Sequence, residues 1–128
     1  EGGSYTLTGT DLGYTDVDDN AAGVTFTVSG ESNGSVQVGG SAVSSFTGTQ
    51  LNAGEVSFQH DASETLTAAF NVNVEDGDED GSAATDDTFN FTVTAVNDAP
   101  VLTGDLAATV AEGGSYTLTG TDLGYTDV

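Results

Sequence analysis

Residues Glu1–Val17 and Glu112–Val128 are the same stretch, EGGSYTLTGTDLGYTDV, without one difference. Glu1 recurs as Glu112, a period of 111 residues. That is the length of one small domain and far exceeds the roughly 20–50 residues of a solenoid unit. The repeating unit is therefore a whole domain. Two neighbours this alike imply recent duplication, and the expectation is a long tandem array in which this stretch begins inside one repeat and ends inside the next.

Alternation of apolar and polar residues, the mark of a half-buried strand, recurs down the chain. Tyr5 and Leu7 alternate with Thr6 and Thr8 in Ser4–Gly9, and Val24, Phe26 and Val28 with Thr25 and Thr27. The pattern returns at Val36 and Val38, Val43 and Phe46, Val56 and Phe58, Phe70–Val74 and Phe89–Ala95. Leu106, Ala108 and Val110 read as a strand opening the following repeat. Gly, Asn and Asp clusters separate these runs, and no stretch keeps a 3.6-residue period over eleven residues. About seven strands per repeat, each with one apolar face, predict an all-β fold, an antiparallel two-sheet sandwich of the Ig-like or cadherin-like kind. Tyr5, Tyr14 and the six Phe residues are expected in or at the edge of its core.

Pro100 fixes its own φ and pushes Ala99 into an extended conformation. Residues 96–100 accordingly read as a stiff linker between residues 1–95, most of one repeat lacking its first strand, and residues 101–128, the first strands of the next.

Against 21 Asp and Glu the chain has no Lys, no Arg and one His. Nucleic acid is excluded as a partner, because binding it requires cations to neutralise phosphates. Anionic membrane surfaces are disfavoured for the same reason, and no apolar run is long enough to insert. With no cation to pair them, the carboxylates stay solvated or share bound metal. Cys is absent, which suits a bacterial surface protein stiffened by metal and equally many cytosolic ones. His60-Asp61, with the plentiful Ser and Thr, is one set suggesting hydrolysis; Asp and Glu pairs suited to glycoside cleavage are another, but no aromatic platform for a sugar ring accompanies them. Neighbours along a strand face opposite ways, so a structural His60 and no enzymatic activity are expected.

The acids cluster. Asp16, Asp18 and Asp19 precede the Val24 strand; Glu75, Asp76, Asp78, Glu79 and Asp80, with Asp86 and Asp87, follow the Val74 strand; Asn97 and Asp98 lie in the linker. Asp-x-Asp spacing in a loop lets two carboxylates face one hard cation, with backbone carbonyls completing the shell. Five acids within six residues repel unless a divalent ion or water screens them. The reading from spacing is Ca2+ shared between loops at one end of the sandwich, weighed against acids that merely keep the protein soluble. The offsets do not match an EF-hand, and zinc lacks ligands.

The stretch Ser45–Glu64 followed by Ala69–Gly77 resembles the chondroitin-sulfate-proteoglycan-type repeat of the cadherin-like families. Thr94–Val101 resembles their repeat-terminating linker, and Asp16-Val-Asp18 their calcium-binding Asp-x-Asp. Such repeats are similar to the extender regions of giant bacterial adhesins, including RTX adhesins of biofilm-forming surfaces. The resemblance implies a secreted, calcium-rigidified rod that projects a ligand-binding region from the cell surface. It carries Asp16, Asp18, Asp76, Asn97 and Asp98 over as metal ligands, with Glu1 and its copy Glu112 serving the junction. Asp78 and Asp127, the copy of Asp16, complete the candidate set.

The expected function is a structural extender with neighbouring identical repeats as partners. The alternative is a sandwich that binds carbohydrate or a host protein. An apolar Leu106–Val110 strand without a domain of its own also predicts head-to-tail assembly, each tail completing the sandwich of another chain.

Overall fold

The computed structural model describes residues 1–17, 19–77 and 83–127. The chain divides into two compact units, Glu1–Ala95 and Val96–Val128.

Among its described residues the first unit carries eight strands: β1 (Ser4–Thr6), β2 (Thr25–Ser32), β3 (Gly34–Val38), β4 (Ser41–Ala42), β5 (Ser45–Thr47), β6 (Val56–His60), β7 (Thr67–Glu75) and β8 (Asp87–Thr92). One sheet has the order β1-β6-β3-β4 and the other β5-β2-β7-β8, with every pairing antiparallel. This is the expected two-sheet sandwich.

The alternation settles which side chains turn inward. On β6, Val56, Phe58 and His60 are buried while Ser57 and Gln59 are half-exposed. On β7, Ala68, Phe70 and Val72 are buried. All six phenylalanines belong to the core or pack on it. Phe58 of one sheet stacks on Phe70 and Phe91 of the other, with ring centroids 6.0 and 4.4 Å apart. Phe70 is fully buried, and burying a side chain of that size contributes about 1.5–3 kcal/mol.

The chain changes sheets between β2 and β3 with one residue between them, Asn33, in the left-handed region at φ 56°. Gly34 follows because there is no room for a side chain: a Cβ there would lie 2.5 Å from the Gln59 carbonyl oxygen and from the Phe58 ring. Asn33 and Gly34 thus form a corner between sheets.

One element escaped the periodicity reading, a five-residue helix α1 (Gly48–Asn52). It is too short to show a 3.6 period and is set by its cap. The Thr47 hydroxyl accepts the Gln50 N–H, and the Gln50 side chain accepts the Thr47 N–H at 2.9 Å.

The second unit holds two paired strands, β9 (Val101–Thr103) and β10 (Gly124–Thr126). The strand expected over Leu106–Val110 does not form; the strand lies earlier, at β9. Leu106 takes φ 54°, which breaks an extended run, and its N–H goes to the Asp122 carbonyl.

Candidate metal centre

The loop joining β1 to β2 is built from residues that anchor it. Tyr14 packs edge-to-face on Phe26, ring centroids 5.8 Å apart, which fixes the chain just before Asp16. Asp16 Oδ1 accepts the Asp19 N–H at 2.8 Å and closes a tight turn. On the neighbouring strand, Glu75 at the end of β7 pairs in register with Thr25 at the start of β2. That register brings the two acidic loops together. Thr15, Asp16, Glu75 and Asp76 line one open pocket of about 130 Å³, floored by Val24 and Val74.

Asp16 and Asp76, singled out from spacing, therefore share a pocket, and Glu75 joins them from a cluster in which it carried no separate role. The donor set is hard oxygen, which suits calcium and not a soft metal. Among the described residues the three carboxylates do not all come within 4.8 Å of one another. Asp18 and Asp78 lie outside the described residues. Asp86 is engaged elsewhere, accepting from the Asn73 side chain at 2.6 Å. Asp87 begins β8.

Glu1 and Glu64 bring carboxylate oxygens within 4.8 Å of each other at another place in the first unit. Asn97, Asp98, Glu112 and Asp127 are exposed residues of the second unit. There the Asn97 amide donates to the Asp98 carbonyl at 2.9 Å.

His60 is buried at the end of β6. Its Nδ1 accepts N–H bonds from Gly2 and Ala62 at 3.1 and 3.2 Å, and its Nε2 faces the Thr65 hydroxyl at 3.2 Å. The Asp61 carboxylate approaches the same Nδ1 at 3.9 Å. The ring is a structural acceptor for the turn after β6.

The spacing reading missed Asp11. Its Oδ2 accepts the Thr8 N–H and hydroxyl at 2.8 and 2.7 Å, and its Oδ1 accepts the Tyr5 hydroxyl at 2.9 Å. The Thr8 hydroxyl, above all, holds the Asp11 carboxyl below its usual range, and the same carboxylate holds the Tyr5 phenol above its own. The signal was present as Thr-x-x-Asp, the spacing of a side chain that closes a turn. The second copy forms the same knot: Asp122 accepts from Tyr116 at 2.8 Å and twice from Thr119 at 2.7 Å.

A family model described as cadherin-like matches residues 1–95. The chain belongs to the cadherin-like family. Comparison with curated proteins and with solved structures gives no match. A cadherin-like sandwich is a structural or adhesion module, a non-enzymatic type of domain, and points to an extracellular setting. Among the described residues no helix is long and apolar enough to cross a membrane.

Proposed function

We propose that this cadherin-like chain is a calcium-stabilised extender repeat of a large bacterial surface adhesin of the RTX type, holding a distal ligand-binding region away from the cell. The observation that supports it most is the convergence of Asp16, Glu75 and Asp76 on one pocket in a chain with no Lys or Arg to neutralise them. Asp16 and Asp76 would hold the ion, with Glu75 beside them and Asp18 and Asp78 adjacent in sequence. Bound calcium supplies the positive charge that the sequence lacks. Tyr14 on Phe26 and the β2–β7 register hold the two loops that present these carboxylates. Identical repeats suit a spacer, whose output is length and stiffness and needs no distinct site in each copy.

The test is a thermal melt in calcium, in EDTA and in magnesium. An ion that binds only the folded state at 100 times its dissociation constant adds about 2.7 kcal/mol. For a domain of this size that is a rise of roughly 10–20 °C. The rise should be specific to calcium and disappear in Asp16→Asn and Asp76→Asn. A melting temperature the same in calcium and EDTA overturns the reading and leaves the acids as solubilising charge.

A further inference from the structure

Of the seven asparagines in this chain, Asn33 alone precedes a glycine. The corner between the sheets demands both residues. Asn33 holds φ at 56°, a left-handed value that Asn tolerates better than most side chains. Its Nδ2 donates to the Thr67 carbonyl at 2.8 Å, and its own carbonyl accepts the Asp61 N–H at 3.2 Å. These bonds tie the corner to the start of β7 and to the end of β6. Gly34 has no room for a Cβ beside the Gln59 carbonyl and the Phe58 ring. The packing therefore places a bare glycine nitrogen directly after a half-exposed asparagine. That is a chemically labile pair, because no side chain shields the nitrogen from the neighbouring amide carbon.

We propose that Asn33 is a site of spontaneous deamidation, held back while the corner is folded and irreversible in its effect once it occurs. Water is the only co-reactant. The Gly34 nitrogen gives its proton to a solvent base and bonds to Asn33 Cγ. The Cγ–Nδ2 bond breaks, and Nδ2 takes a proton from water and leaves as ammonia. Residues 33 and 34 then share a five-membered succinimide ring. Water opens that ring at Cγ to give aspartate, or at the main-chain carbonyl carbon to give isoaspartate, whose backbone is one methylene longer. In the folded corner, ring closure requires Cγ to leave Thr67 and swing onto its own main chain. It also requires Gly34 to move while Gln59 and Phe58 crowd it. The reaction is therefore confined to openings of the corner. Neither product rebuilds it. A carboxylate at position 33 turns an acceptor oxygen toward the Thr67 carbonyl where an N–H donated before, so the bond is lost. The added methylene of isoaspartate displaces β3 against β6, where Gly34 lies opposite His60 and Ser35 opposite Gln59. Each event also adds a negative charge to a chain of net charge −21 with no Lys or Arg to balance it. The corner keeps a permanent record of having opened.

The test compares the chain in native buffer with the chain in concentrated urea, aged at the same mildly alkaline pH and temperature. With no Lys or Arg the chain gives trypsin nothing to cut, so a glutamyl endopeptidase is used. It releases Ser32–Glu55, a peptide that holds Asn33 and Asn52 and no Asp. Fragment masses then read conversion at each asparagine, with Asn52, which precedes Ala53, as the internal reference. In urea Asn33 should convert at least about tenfold faster than Asn52, and folding should slow Asn33 by about tenfold or more. Equal conversion of the two asparagines in urea overturns the site. Equal conversion of Asn33 in urea and in native buffer overturns its protection by the corner. Asn33→Asp isolates the effect of the product: its equilibrium constant for unfolding, from a urea titration, should rise by about tenfold. An unchanged constant overturns the claim that the corner is not rebuilt. None of these readings reports ion binding, so the calcium proposal stands or falls separately.

Discussion

Leu7 and Leu118 occupy the same place in the same seventeen residues, and only their surroundings differ. Leu7 is fully buried between the sheets and donates its N–H to the Val56 carbonyl at 2.9 Å. Leu118 is 61% exposed. Replacing Leu7 by Ala removes buried methyl groups and leaves a cavity that a close-packed core only partly closes, a cost of about 3 kcal/mol within the usual 2–5. Converted to melting temperature for a domain of this size, that is a fall of roughly 10–25 °C. Leu118→Ala has no core to disturb and should stay within about 0.5 kcal/mol. Intrinsic propensity and sequence neighbours are the same at both sites, so the difference isolates tertiary packing. The measurement is a circular dichroism melt of each variant. Equal shifts for the two variants would refute the burial assigned to Leu7 and the sandwich core it belongs to.

Asp11→Asn should flatten the acid limb of the stability curve. Asp11 has a carboxyl held below its usual range by Thr8, so its contribution is complete above the unfolded value near 3.9 and is lost as pH falls through the lower folded value. Urea melts between about pH 2 and pH 5 check this, and an unchanged acid limb in the variant contradicts it. Gly34→Ala forces a Cβ against the Gln59 carbonyl and the Phe58 ring and should cost about 1–3 kcal/mol, read by denaturant titration.

The alternation in β6 and β7 made the sandwich legible, because side chains that alternate along a strand must face two environments. The phenylalanine core followed from the same rule. Helix α1 was not legible from periodicity, since five residues hold barely more than one turn, although the sequence contains its Thr-x-x-Gln cap, Thr47 to Gln50. Leu106–Val110 shows the opposite failure. Its alternation is sound, but a strand needs a partner along its edge, and the backbone turns at Leu106 instead. At the candidate site, the acidic residue types and loops were readable. That Asp16 meets Asp76 depended on the β2–β7 register, which pairs residues some fifty positions apart in sequence.

The duplicated sequence separates the two kinds of information. Tyr5, Thr8 and Asp11 form the same hydrogen-bonded knot as Tyr116, Thr119 and Asp122, with matching distances in two different settings. Every partner lies within six residues, so closing the knot needs little loop entropy and no distant segment. Strand and burial follow no such rule. Ser4–Thr6 is a strand because β6 lies beside it, and the same residues at 115–117 are not. Gly124–Thr126 is a strand because β9 lies beside it, and Gly13–Thr15 is not. The sequence alone determined the local turn chemistry, the alternation and the placement of acids in loops. Tertiary structure decided which copy became core and which edges found partners, because ladder hydrogen bonds and apolar burial require residues that the local sequence does not contain.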